Sequence, residues 1–406
     1  MEFDDTELGH DVLEHFRSAT RAWLEANCPK EMRGPASSED QVYWGGRRAQ
    51  FASDAQRAWF ERMVVRGWTV PEWPREYGGA GLDVAHASIL REEMSRLQCR
   101  APLMSFGISM LGPALMRFAS ETQKMEHLPR IARGEIRWCQ GYSEPGAGSD
   151  LASLNTCAED RGGHFLVSGQ KIWTSYADLA DWIFCLVRTD PAAERHKGIG
   201  FLLIDMAGQG VSTRPIRLIS GTSPFCETFF ENVRVPKGNL VGSAGGGWEI
   251  AKYLLTHERE SIGDMSILPP GVARLHKHAI LAIGLEHGRL TDGVLRAELS
   301  RWEVDSRAFQ ATLQRLREQA TSARGLGAFS SVLKYYGTEL NKRKEDLAMS
   351  IAGVRGLRWS NQAGAADPSG DTARAWLRSK GNSIEGGTSE IQLNIIAKHL
   401  LQLPGA

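Results

Sequence analysis

Residues 138–182 read WCQGYSEPGAGSDLASLNTCAEDRGGHFLVSGQKIWTSYADLADW, and the organisation of the chain follows from them. A Gly-rich turn, Glu144-Pro145-Gly146-Ala147-Gly148-Ser149-Asp150, opens the stretch. Two strand-like pieces follow, joined by Gly162-Gly163, and the run Trp173-Thr174-Ser175 closes it. Pro145 fixes the entry to the turn, and Gly146 and Gly148 permit φ > 0. Backbone N–H groups and the Ser143 and Ser149 hydroxyls can therefore converge on one acceptor-rich ligand with a flat ring. Taken alone, Gly-Ala-Gly-Ser is an ordinary surface turn, so context has to decide.

The order EPGAGSD, a Gly-Gly hairpin, GQKIWTS and an apolar run resembles the acyl-CoA dehydrogenase family of flavoproteins. A second match, Glu385-Gly386-Gly387-Thr388-Ser389-Glu390-Ile391-Gln392, lies far away near the C-terminus. The likeness covers nearly the whole chain. It implies an α+β fold with an N-terminal helical domain over 1–135, a central antiparallel β-domain over 136–243 and a C-terminal four-helix bundle over 244–406.

With 406 residues, 42% of them hydrophobic, the chain can bury a large core. Its 48 basic residues balance 48 acidic ones, so no global field attracts nucleic acid or an anionic membrane. The six cysteines, Cys28, Cys99, Cys139, Cys157, Cys185 and Cys226, form no C-x-x-C pair, which argues against zinc and against a disulfide framework. A reduced cytoplasm is the expected location. The start, MEFDDTELGHDVLEHF, shows no secretory signal, and no apolar run of about 18 residues is present.

Helical periodicity is expected from Thr6 to about Gly134, with Leu13, Phe16, Ala19, Trp23 and Leu24 on one buried face. Helices are predicted near Val84–Leu97 and Met104–Phe118, and His127-Leu128-Pro129 reads as the close of a helix. From about Ile136 to Val241 the period shortens. Phe165–Val167, Trp182–Val187, Gly200–Ile204, Val211–Arg214 and Thr228–Val235 read as strands. No G-x-G-x-x-G follows a strand, which disfavours a nicotinamide site. Gly242–Gly247 reads as a flexible exit, and long helices then run to Leu403 with breaks at Pro269-Pro270, near Gly325–Gly327 and over Gly364–Gly370.

Beyond the exit, Trp248, Ala251, Leu255 and Ile262 recur at helical spacing, and Glu258 shares their phase. A carboxylate on a core-facing stripe either finds a partner or has its pKa raised toward a range that suits proton abstraction. From the pattern alone, an ion pair with Arg259 or a neighbouring helix is the stronger account. The resemblance reverses that order. In the family a glutamate removes the α-proton of the thioester while a β-hydride passes to flavin N5. That base comes either from the helix after the sheet or from the loop before the last helix, where most relatives read Tyr-Glu-Gly-Thr. Here Gly386 takes the loop position and Glu385 stands one residue early. Glu258 is therefore preferred to Glu385 as the base.

The resemblance further implies FAD contacts from Gln140, Tyr142, Ser143, Gly148, Ser149, Trp173, Thr174 and Ser175, and from Gly387, Thr388 and Glu390. For any single hydroxyl, a turn or cap remains a competing account. Ser149 and Arg259 would touch substrate. The amide of Gly386 would hold the thioester oxygen, with Ser389 and Gln392 spaced as a capping box behind it. No Arg-x-x-Phe-Gly motif opens a long helix. Arg289 to Asp305 instead resembles a bacterial branch acting on pimeloyl-CoA or steroid-derived CoA esters, whose members are often one half of an α2β2 tetramer. The implied partners are an acyl-CoA, an electron-transferring flavoprotein and further subunits. Two alternatives stand beside the dehydrogenase: a noncatalytic partner subunit, and an oxidase or monooxygenase of the same fold.

Overall fold

The spacing of apolar residues at the N-terminus becomes helix α1 (Asp5–Asn27). The computed structural model of the protein describes residues 5–36, 41–255, 269–319, 327–359 and 369–404. They fall into two compact units, one holding Met1–Ser143, Leu154–Thr213 and Thr228–Ile250, the other Glu144–Ser153, Arg214–Glu227 and Ala251–Ala406.

In the first unit, α1 is followed by α2 (Asp54–Val65), α3 (Val84–Arg96), α4 (Gly112–Phe118) and α5 (Glu121–Ala132). Three of these helices have side-chain N-caps: Ser53 accepts from Gln56 N, Asp83 from His86 N, and Ser120 and Gln123 close a capping box. Leu24, Trp59, Met63, Trp68 and Leu90 form the core of these helices. Two expectations need correcting. On α1 it is Thr20, not Ala19, that is buried, because the inner face passes through Phe16, Thr20, Trp23 and Leu24. Pro129 lies inside α5 rather than ending it, since the chain continues helical to Ala132.

Eight strands make one sheet: β1 (Trp138–Gly141), β2 (Cys157–Asp160), β3 (His164–Ser175), β4 (Trp182–Arg188), β5 (Ile199–Asp205), β6 (Val211–Ile216), β7 (Phe225–Pro236) and β8 (Leu240–Val241). Their order is β6-β7-β3-β2-β4-β5-β8, with β1 laid on β4. The pairs β2–β3, β4–β5 and β5–β8 are antiparallel. By contrast β1 runs parallel to β4, Gln140 facing Phe184. Strands β4 and β5 are buried almost end to end, which explains their unbroken apolar sequence. The Gly242–Gly247 segment is no loose exit. A Cβ on Gly245 would come within 2.3 Å of the Lys197 carbonyl oxygen and one on Gly247 within 2.5 Å of Gly200 C, so these glycines serve close packing.

Residues 247–255 form helix α6. The second unit continues with α7 (Pro269–Ile283), a hairpin of β9 (Leu285–Glu286) and β10 (Arg289–Leu290), α8 (Gly293–Gln319), α9 (Phe329–Ala352), α10 (Ser369–Ser379) and α11 (Ser389–His399). Pro269 begins α7, a position where its missing N–H costs nothing. Helix α9 packs against α7, α8, α10 and α11. Trp302, Phe309, Leu333, Leu340 and Leu347 fill the core, and Trp302 Nε1 donates to the Leu340 carbonyl at 3.0 Å.

Candidate active site

In the first unit, β1 and the end of β3 lie together. Lys171 is fully buried, and its Nζ donates to the Tyr142 carbonyl at 3.1 Å. Next to it, Ile172 N donates to the Ser143 carbonyl at 2.9 Å. This grip fixes residues 142 and 143, and the sequence reading passed over Lys171. A charged residue amid the apolar positions of a strand was the available signal. Gln140 and Ser143 are half-buried and Tyr142 is buried. At the end of β3 the alternation separates the run's members. Thr174 is fully buried with its hydroxyl 2.8 Å from that of Thr228, whereas Ser175 is half-buried and Trp173 is 53% exposed. Trp173 has φ 61° and Tyr176 φ 53°, left-handed conformations that cost a side-chain-bearing residue about 1–3 kcal/mol each.

The Gly-rich turn belongs to the second unit. Glu144 and Ala147 exchange backbone hydrogen bonds of 2.9 and 3.0 Å, and Ala147 is buried. Gly148 and Ser149 are exposed. Contrary to expectation, neither Gly146 nor Gly148 takes a positive φ. A Cβ at either would meet open space, so glycine here relieves neither strain nor crowding.

The C-terminal glycine pair does need its freedom: Gly386 has φ 63° and Gly387 φ 88°. Gln392 is fully buried, and its Nε2 donates to the carbonyls of Gly386 at 2.9 Å and Gly387 at 3.3 Å. A trans peptide sets C=O and N–H on opposite sides, so this clamp directs the N–H groups of Gly387 and Thr388 away from Gln392. Thr388, not Ser389, is the N-cap of α11, with its hydroxyl accepting from Ile391 N at 3.3 Å. Ser389 Oγ instead reaches Glu339 Oε1 at 3.5 Å. Lys334 Nζ on α9 donates to the Asn382 carbonyl at 2.9 Å, and Lys342 Nζ meets Ser383 Oγ at 2.6 Å. The segment leading into the loop is thus tied to α9 by partly buried polar contacts. Glu390 lies in the first turn of α11. A bond from its own backbone N–H, then one from the Thr388 hydroxyl, hold its carboxyl below the usual carboxylate range.

Glu385, the alternative base, has both oxygens engaged, one by Arg378 and the other by Asn382. Glu258 and Arg259 lie outside the described residues. Upstream on α6, Gly247, Ile250, Ala251 and Leu254 are the buried positions, with Trp248 and Leu255 only half-buried.

Among the described residues no cluster of His, Cys, Asp or Glu is placed to hold a metal. Nor is any described helix long and apolar enough to cross a membrane. The order of elements, helices, then one eight-stranded sheet, then helices again, is that of a helical–sheet–helical α+β protein. Family comparison agrees over the full length. Models of the N-terminal, middle and C-terminal domains of acyl-CoA dehydrogenase match residues 13–135, 139–233 and 245–401. The chain belongs to the acyl-CoA dehydrogenase family, whose members are FAD-dependent oxidoreductases. It is 35% identical over 395 residues to acyl-CoA dehydrogenase IpdE1 of Mycobacterium tuberculosis, covering 97% of this chain and 98% of that one. Among solved structures it resembles the Tcur3481-Tcur3483 steroid ACAD, with TM-score 0.77 and 29% identity over 98% of each chain. It also resembles the ChsE4-ChsE5 complex from M. tuberculosis, with TM-score 0.74 and 28% identity over the whole of both chains.

Proposed function

We propose that this chain catalyses the FAD-dependent α,β-dehydrogenation of an acyl-CoA thioester to a trans-2-enoyl-CoA. The observation that carries this reading is the Gln392 clamp on the Gly386-Gly387 loop. It holds a positive-φ backbone in one conformation, with N–H groups preorganised for a polarised oxygen or a cofactor edge. By residue type the donors suit FAD: hydroxyls at Ser143, Ser149 and Ser175, backbone at the exposed Gly148 and the half-buried Gly387 and Thr388, and the exposed Trp173 ring for a flat face. When bound, FAD supplies the hydride acceptor. The amide of Gly386 would hold the thioester oxygen and so acidify the neighbouring C–H.

Glu258 takes the proton in this reading. In the sequence Glu258 shares the helical phase of Trp248, Ala251, Leu255 and Ile262, which supports this choice. The engagement of both Glu385 oxygens supports the same choice. Arg259 and Ser149 are assigned to the substrate, and an electron-transferring flavoprotein to reoxidation of the cofactor. Because the similar structures are named as a steroid ACAD and as a two-component complex, a steroid-derived CoA ester and a second subunit are the first candidates to try. The test is anaerobic addition of acyl-CoA esters to purified yellow protein, alone and co-purified with a neighbouring subunit. Loss of flavin absorbance that Glu258→Gln slows is the expected result. Undiminished bleaching in that variant overturns the assignment of the base, and no bleaching with any ester overturns the reaction.

A further inference from the structure

Cys28 directly follows α1, and Cys99 stands just beyond the end of α3. Two extended pieces of chain bring them together. Arg33 and Cys99 form an antiparallel bridge, Gly34 N donates to the Gln98 carbonyl at 2.8 Å, and Arg100 N donates to the Met32 carbonyl at 2.9 Å. That same Met32 oxygen lies 3.9 Å from Cys28 Sγ, so Cys28 sits against the bridge that holds Cys99. The two thiols are in hydrogen-bond contact with each other. Trp59 Nε1 fixes the second piece by donating to the Arg100 carbonyl at 3.0 Å. All of these residues belong to the first unit.

The two sulfurs differ in setting. Cys28 is buried in one core cluster with Leu24, Trp59 and Met63, whereas Cys99 packs on that cluster half-buried. The charged groups that act most strongly on Cys28 are both cations, Arg33 and Arg62. The Arg33 guanidinium donates twice to the Cys28 carbonyl, at 2.8 and 3.2 Å, and Arg62 donates to the carbonyl of Asn27. The S–H of Cys99, and then Arg33, bring the Cys28 thiol below its ordinary value in spite of burial. That contact and burial together push Cys99 up. One sulfur is thus prepared as a nucleophile while its neighbour keeps the proton. All six thiols of the chain are free, and Cys139, Cys185 and Cys226 are wholly enclosed.

We infer that Cys28 and Cys99 are a reversible redox pair, oxidised by hydrogen peroxide to a disulfide that joins the ends of α1 and α3. The half-buried Cys99 gives a small oxidant its approach. The Cys28 thiolate attacks the O–O bond, keeps one oxygen as a sulfenic acid and releases the other, once protonated, as water. The Cys99 sulfur then displaces the hydroxyl, which departs as water with the Cys99 proton. Two thiols and one peroxide give one disulfide and two waters; the sulfurs lose two electrons and the peroxide gains them. The new bond closes a long loop containing α2, which restricts the unfolded chain and stabilises the N-terminal helices. None of this depends on the reaction assigned above.

The experiment treats the flavin-loaded, full-length protein with a small molar excess of hydrogen peroxide, alkylates the remaining thiols and digests it without reduction. Mass spectrometry should show the Cys28 and Cys99 peptides joined with loss of two hydrogens, and dithiothreitol should separate them. Two of the six thiols should disappear. In urea the oxidised protein should gain roughly 10²-fold in its folding equilibrium, reversed by dithiothreitol. Cys28→Ser and Cys99→Ser should show neither the joined peptide nor the gain. Cys28→Ala serves if the serine variants fail to fold, and mapping the wild type needs no variant. Six surviving thiols, a disulfide between any other pair, or oxidation that dithiothreitol does not reverse overturns the proposal. A joined pair with an unchanged urea midpoint overturns its stabilising role.

Discussion

Arg378 Nη2 lies 2.7 Å from Glu385 Oε2, while Asn382 Nδ2 reaches the other oxygen at 2.5 Å. A carboxylate so engaged is a structural anchor of the loop, and a proton acceptor needs a free lone pair within reach of the substrate. Glu385→Gln should therefore keep reductive bleaching within about tenfold of wild type, whereas Glu258→Gln should slow it by about 10²–10⁴. Single-turnover absorbance of the flavin under anaerobic conditions separates the two. The reverse ranking would return the base to the loop.

Trp173 combines a left-handed backbone with an exposed ring. Burial contributes little to keeping it, so its conformation reads as strain retained for a ligand. Trp173→Gly should raise the stability of the flavin-free protein by up to about 1 kcal/mol and weaken FAD retention at the same time. Urea unfolding of stripped protein and FAD titration measure the opposed effects. A fall in both would mean that the ring supports packing alone.

Gly387 is constrained twice, by φ 88° and by Gln392 Nε2, which a Cβ would approach to 2.4 Å. Gly387→Ala should displace Gln392 from both carbonyls and cost about 1–3 kcal/mol. FAD affinity is expected to fall with it, more than in Gly148→Ala, where the added methyl meets no protein atom within 4 Å. Equal FAD affinity in wild type and Gly387→Ala would count against the clamp.

Glu93 is buried on α3 and receives Arg21, Arg96 and Arg17. Hydrogen bonding from Arg21 is the largest influence; with Arg96 and Arg17 it outweighs burial and brings the carboxyl from 4.5 to about 2. Because the folded pKa is depressed, the stabilisation is complete above about pH 4.5 and is lost as pH falls toward 2. Arg21 and Arg96 are 46% and 41% exposed, so screening trims the effect to about 1–2 kcal/mol. Glu93→Gln should unfold at lower urea than wild type at pH 7, and the gap should close between pH 4.5 and 2.

Local signals carried much of the fold into the sequence. The stretch Val84–Leu97 read as a helix and is α3 to within one residue, and the apolar run 182–187 read as a strand and is β4. What escaped depends on partners distant in the chain. Thr20 is buried because of what packs against α1, and Gly245 and Gly247 are tight because β5 and the turn before it lie against them. The same holds at the candidate site. EGGTSEIQ pointed to the loop and to a cap, but Thr388 caps and Gln392 turns back onto carbonyls, a geometry set by the left-handed glycines. Lys171 was passed over because its role rests on Tyr142, 29 positions away.

Gln123 closes the capping box of α5 and, with the other end of the same amide, donates to the carbonyls of Gly238 at 2.7 Å and Leu240 at 2.9 Å. One side chain thereby rivets the N-terminal helices to the strand pair at the sheet's margin. Between residues 135 and 139, where one family segment stops and the next begins, there is consequently no natural seam. A fragment cut there would strip two main-chain oxygens of their donor and uncover the edge-to-face and tilted rings of His127, Trp138 and Trp182, so neither half would keep its packing without the other.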